Sequence, residues 1–132
     1  MSSLAIDGDI IEELEKEMER CRPWIQAALD RGQNTHLFSD IVDSVKQGHM
    51  QFWPAEDACA VTEVCVYPRK KILNIFLAGG NMDTIVDMDE SAVMYAKTIG
   101  CDGVSVNGRR GWQKVLAKKG YRPFLTNLAK DI

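Results

Sequence analysis

The chain has 132 residues, 45% hydrophobic and 27% charged, with a formal net charge of −3. That balance excludes a disordered chain and a basic nucleic-acid coat. No apolar run approaches the ~20 residues that span a bilayer, and Met1–Asp9 has neither the basic nor the apolar part of a secretory signal.

The first element in chain order is a helix. Ile10, Ile11, Leu14, Met18 and Cys21 recur at spacings of three and four and predict a helix over Asp9–Cys21. The acids at its start suit the positive end of the helix dipole. Pro23 fits the first turn of a second helix, with Trp24, Ile25, Ala28 and Leu29 inward and Gly32 after its end. Thr35 reads as the cap of a third, with Leu37, Phe38, Ile41, Val42 and Val45 inward and Gly48 as its stop.

The period then changes. Met50–Trp53 is short and aromatic and ends at Pro54. Ala58–Tyr67 and Lys71–Leu77 are rich in Val, Ile, Cys and Phe and read as strands, joined by the turn Tyr67-Pro68-Arg69-Lys70. Both are apolar on both faces, which implies cover on both sides. Ala78-Gly79-Gly80-Asn81 leads into a helix over Met82–Ile99, closed by Gly100. Val104–Val106 is a short strand, Trp112–Lys119 a last helix, and Tyr121–Thr126 a last strand.

A helical crossover requires a parallel pair. The fold class is therefore α/β (α+β): an antiparallel meander, then a parallel strand–helix–strand, with helices on both faces. The expectation is one domain over residues 1–132, helical in 1–48 and built on a mixed sheet with two helices in 49–132.

Cys21, Cys59, Cys65 and Cys101 show no C-x-x-C spacing, and neither His36 nor His49 completes a zinc pattern. Reduced thiols in a cytoplasm and no metal site are expected. Charge is divided along the chain. Asp7–Glu19 holds seven acids, whereas Gly103–Lys130 holds no acid and seven bases, Arg109 and Arg110 among them. These are either two solvated helix faces or, at the basic end, a site for an anion.

Three groups of residues are candidates for function. Glu63 is the one acid inside the strands, sharing a face with Val61, Cys65 and Tyr67; it is a candidate base or a structural ion-pair partner. Asn74 interrupts the next strand, either as a side chain satisfied at a strand edge or under a helix, or as a hydrogen-bond partner for an amide of a ligand. Asn107, Arg109, Arg110 and Trp112 follow the parallel strand, at the end where open sheets hold ligands; an anionic ligand or an acidic protein surface is the partner they fit. No strand alternates basic and aromatic residues, so no nucleic-acid platform is expected. The oligomeric state has no signature in the sequence.

The order of elements and the residues at the joints resemble the GNAT superfamily of acyl-CoA N-acyltransferases. The likeness is carried by the hairpin Ala60–Leu77, by the joint Leu77-Ala78-Gly79-Gly80-Asn81, and by Gly100–Val106 running on to Val115–Tyr121. The segment Gly108-Arg109-Arg110-Gly111-Trp112 is similar to small proteins of this type encoded by phages and prophages. The resemblance implies the GNAT fold, acetyl-CoA as cofactor, and cofactor contact at Ala78, Gly79, Gly80 and Asn81. In the family, spaced glycines and a basic residue at this joint present backbone N–H groups to the pyrophosphate. Here only the Gly79-Gly80 pair remains, and Asp83 and Asp87 follow it. A tyrosine five residues before the closing aromatic protonates the leaving thiolate in the family; Leu116 holds that place here, and Tyr95 and Tyr121 are the candidate substitutes. The expectation is a GNAT-like domain that works by binding or as a structural component, with weak or lost acyl transfer. The alternative is an active N-acetyltransferase with Glu63 as base.

Overall fold

The computed structural model describes residues 8–32 and 34–132. Helix α1 spans Gly8–Arg31 and runs through Pro23 without a break. Two helices were expected from that proline. Its ring removes one backbone hydrogen bond and costs ~3 kcal/mol in a helix interior. The stripe Met18, Cys21, Ile25 and Leu29 crosses it at continuous helical spacing, and all four side chains are buried. Each buried aliphatic side chain contributes about 1.5–3 kcal/mol, so the stripe outweighs the proline.

Helix α2 spans Phe38–Lys46. Its cap is not Thr35. The Asp40 carboxylate accepts from the Leu37 backbone N–H at 2.8 Å, an acid in the first turn serving the helix start. Thr35 instead bonds its Oγ1 to Nδ1 of His36 at 2.7 Å. Leu37, expected inward, is exposed.

Strands β1 (Met50–Pro54), β2 (Ala58–Val66), β3 (Lys71–Gly80) and β4 (Gly103–Val106) form one sheet in that order. The first three are antiparallel and β3 pairs with β4 in parallel, as the crossover required. Arg20 of α1 pins the β1–β2 turn, donating to the carbonyls of Ala55 at 2.8 Å and Glu56 at 3.0 Å.

The crossover is α3 (Met82–Asp87) followed by α4 (Asp89–Thr98), interrupted at the single residue Met88 within the expected continuous helix. Helix α5 covers Gly111–Leu116 and tightens into a 3-10 turn at Ala117–Lys119. The expected strand Tyr121–Thr126 does not form, and Arg122–Ile132 is exposed throughout. Pro123 has no N–H to place in a ladder, and no strand of the sheet reaches this segment.

The two faces are covered unequally. Helices α1 and α2 close one face over Met50, Cys59, Val61 and Leu77. Helix α4 closes the other over Leu73, with Ala92 and Ala96 at the contact. Cys21 and Cys59 are buried, Cys65 and Cys101 half-buried. Among the described residues, no helix is long and apolar enough to cross a membrane. Nor does any group of three His, Cys, Asp or Glu among them come together as a metal would need.

Candidate functional site

The site is an opening in the sheet. β3 and β4 pair from Ile72 with Gly103 to Ile75 with Val106, and the Asn107 N–H donates to the Ile75 carbonyl at 3.0 Å. Beyond that bond the strands part. β3 continues through Gly80 against β2, whereas the chain after Asn107 turns into α5. The register of β2 against β3 also shifts here: Val61 faces Leu77 and Thr62 faces Ile75. Phe76 has no partner, a bulge that bends the strand at the opening. His36 packs edge-on to the Phe76 ring at 5.0 Å.

A cavity of about 210 Å³ lies at this opening, lined by Trp24 and Arg31 of α1, Gly79 and Gly80 of β3, and Arg109 and Trp112 around the start of α5. Two tryptophans and two arginines thus line one small space. Guanidinium is always charged and offers donors in a fork that fits carboxylate or phosphate. The arrangement suits an anion with an apolar part.

The two glycines have packing reasons of their own. A Cβ on Gly79 would stand 2.9 Å from Trp24 Cβ and 3.0 Å from the Trp24 carbonyl. A Cβ on Gly80 would stand 2.4 Å from the Asp57 carbonyl, at a φ of +105°. Gly79 therefore lets α1 cross close over β3, and Gly80 makes the left-handed turn out of the strand. The donors beyond them are engaged within the chain. The Asn81 N–H binds the Asp57 carbonyl at 2.8 Å. Asn81 Oδ1 caps α3, accepting from the N–H groups of Asp83 at 2.9 Å and Thr84 at 3.2 Å.

A second polar locus lies lower on the sheet, on the face of α1 and α2. Glu63, Asn74 and Ser105 are register partners across β2, β3 and β4. Ser105 Oγ donates to Asn74 Oδ1 at 2.8 Å, and Asn74 Nδ2 donates to Glu63 Oε1 at 3.4 Å. Asn74 is buried and the chain of bonds satisfies it. Cys65 Sγ lies 3.9 Å from the same Glu63 oxygen; burial first, and then the Glu63 charge, push its thiol up.

The position at which the resemblance implies a proton donor is apolar. Leu116 is buried against a cavity of about 30 Å³ shared with Trp53, Thr62, Ile75 and Tyr121. Tyr121 donates to Asp89 Oδ1 at 2.6 Å. Burial first, and then Asp89, push its phenol well above the ordinary range. Tyr95 stands edge-on to Trp53 at 5.5 Å.

The structure thus gathers Ala78, Gly79, Gly80, Arg109 and Trp112 at one cavity, and makes Asn81 a helix cap. Arg110 is exposed and outside the lining. Glu63 and Asn74 form a separate row. Trp24, Arg31 and Ser105 were missed. Arg31 had a signal, a base in the last turn of a helix, but its place at the same cavity as Arg109, ~80 residues further along the chain, is a tertiary fact. Ser105 joined Asn74 only through the parallel register.

By sequence, no family model and no curated protein matches the chain. By structure, it is similar to an acetyltransferase from Trypanosoma brucei, with a TM-score of 0.64 at 10% identity, covering 89% of this chain and 94% of that one. BH1408 from Bacillus halodurans, crystallised as a tetramutant, gives 0.64 at 11%, covering 92% and 96%. An aminoglycoside acetyltransferase from an uncultured soil metagenomic sample, crystallised with sisomicin, gives 0.60 at 10%, covering 89% and 91%. The chain has the GNAT fold: a mixed sheet whose fourth strand joins in parallel after a helical crossover.

Proposed function

We propose that this GNAT-fold domain works by binding an anionic ligand or an acidic partner surface in the Arg31–Arg109 cleft, with acyl transfer weak or lost. The observation that carries the reading is the closure of the β3–α3 joint. Gly79 and Gly80 are occupied by packing, and the N–H groups of Asn81, Asp83 and Thr84 all have partners inside the chain. A pyrophosphate held by backbone donors does not fit this joint, and Asp83 in the first turn adds a like charge. The guanidinium groups of Arg31 and Arg109 supply attraction from the other walls. Leu116 and the Tyr121–Asp89 bond support the loss of the proton donor. The likeness of Gly108–Trp112 to phage-encoded proteins supports a phage or prophage setting, in the host cytoplasm or on the virion.

Calorimetric titration with acetyl-CoA tests the reading. Binding weaker than ~1 µM, about −8.2 kcal/mol, is expected, with no release of thiol in the presence of amines. Tighter binding together with turnover would overturn it.

The row Ser105–Asn74–Glu63 favours a second reading, an active N-acetyltransferase. A carboxylate held by a buried amide near the strand bulge can take a proton from an incoming amine. Glu63→Gln keeps the shape and removes the base. A turnover that survived this substitution would end Glu63's role.

A further inference from the structure

We infer, on the reading of the Arg31–Arg109 cleft as an anion site, that its ligand is a small, flat, doubly charged anion, a phosphate monoester of one aromatic ring. Apart from the two arginines, the lining is tryptophan, alanine, glycine, methionine and isoleucine, with no carboxylate. Among the described residues, neither arginine side chain has an ion pair or a hydrogen bond, whereas Arg20 is paired with Glu17 and Arg22 with Glu19. Guanidinium stays charged at any working pH. Two unpaired cations on one concavity balance a ligand charge of −2. A phosphate monoester carries about −1.5 to −2 at neutral pH; a single carboxylate balances half.

The flat part of the ligand follows from the tryptophans. A glycine backbone lies close against each. A Cβ on Gly108 would stand 2.8 Å from Trp112 Cδ1 and 3.0 Å from Trp112 Cγ, as one on Gly79 would stand 2.9 Å from Trp24 Cβ. A larger residue at either place would displace the tryptophan. Arg20 stands over the Trp24 ring at 6.0 Å, so that ring already has a cation. Among the described residues, Trp112 has no ring or cation contact of this kind. It is half-buried, and its indole is the surface left for an apolar group. An aromatic ring gains from offset or edge-on contact with indole, beyond the area it buries; an aliphatic ring of the same size does not.

Size narrows the class. The cavity of about 210 Å³ equals the volume of about seven waters at ~30 Å³ each. It is below the ~300–1,000 Å³ of sites for drug-sized ligands. One ring with its acid group fits such a space, whereas a nucleotide or a coenzyme would lie mostly outside it.

Calorimetric titration of the full chain with phenyl phosphate, cyclohexyl phosphate and inorganic phosphate tests the inference. Phenyl phosphate should bind ~5-fold tighter than cyclohexyl phosphate, and at least ~10-fold tighter than inorganic phosphate. Arg31→Ala with Arg109→Ala should weaken all three at least ~10-fold. Arg110→Ala, outside the lining, should change none of them by more than ~2-fold. Trp112→Leu should bring phenyl and cyclohexyl phosphate to equal affinity and leave inorganic phosphate unchanged. If that variant fails to fold, the comparison of the three ligands on the parent chain still decides. Equal affinity for phenyl and cyclohexyl phosphate would overturn the aromatic ligand and leave the cleft an anion site. No binding of any of the three at ~10 mM would overturn the inference and the anionic-ligand reading beneath it. So would phosphate binding indifferent to the double arginine substitution, because the anion would then lie elsewhere.

Discussion

The two faces of the sheet are built differently. The face under α1 and α2 is filled by large side chains, with Met18, Ile25 and Ile41 fully buried beside Cys21, Cys59 and Val61. The face under α4 and α5 rests on Leu73, two alanines and a thin apolar cavity closed by Trp112, Leu116 and Tyr121. A dense face resists deformation because every removed methylene leaves a void. The thinner face is held at its margin by single polar contacts, among them Tyr121 on Asp89 and Asn81 on α3. The Arg31–Arg109 cleft lies where the two meet, with Trp24 from the dense side and Trp112 from the thin one. The cleft thus has one densely packed wall and one thinly packed wall.

The contrast can be broken by substitution, beginning at the dense face. Ile25→Ala should cost about 3–4 kcal/mol, since Ile25 is fully buried on the continuous stripe of α1. Urea denaturation would read this as a large fall in midpoint with an unchanged slope. A loss under ~1 kcal/mol would mean that α1 is not a packed element.

Gly80→Ala should cost about 2–3 kcal/mol, because the added Cβ meets the Asp57 carbonyl and the residue sits at a φ of +105°. Asn at the same position should recover part of the loss, as it tolerates left-handed backbone better. Equal damage from both would assign the whole effect to the steric contact.

On the thin face the expected effects are smaller. Tyr121→Phe removes the bond to Asp89 and should cost about 1–2 kcal/mol. Asn81→Ala uncaps α3 and should cost about 1 kcal/mol. It also frees the N–H groups of Asp83 and Thr84. If the joint is weak toward acetyl-CoA because Asn81 occupies those donors, this variant binds it more tightly than the parent. Calorimetry on the pair decides.

The smallest effect is a difference in rate. Burial pushes the Cys21 and Cys59 thiols up, so their thiolates form only at more alkaline pH than an ordinary cysteine's. Cys65 and Cys101 are half-buried. The Cys65 thiol is pushed up as well, so access sets the order: a disulfide-exchange reagent at pH 8 should modify Cys65 and Cys101 first, and Cys21 and Cys59 only as the dense face opens in denaturant. Early reaction of Cys59 would show that α1 lifts from the sheet in the native state.

Much of this was readable without coordinates. Period-two and period-four patterns separated strands from helices, and the helical link between Leu77 and Val104 required their parallel pairing. Glu63, Asn74, Gly79, Gly80 and Arg109 stood out by residue type and place. The misreadings share a cause. At Pro23 and Tyr121–Thr126 local preference yields to a packing partner distant in sequence, present in the first case and lacking in the second, while Thr35 loses the cap to the nearby Asp40.

What the sequence by itself determined is the order of the four strands and the helical crossover before the last, because those follow from spacing along the chain. What only the tertiary structure decided is which side chains meet. Arg31 and Arg109 line one cavity because α1 runs on through its proline and crosses β3 at Gly79. Asn74 holds both Glu63 and Ser105 because three strands align in one register. Asn81 closes the joint because its side chain turns back onto the helix it begins. Such meetings depend on packing across the sheet, where contacts between residues far apart in the chain are formed, and no local pattern encodes them.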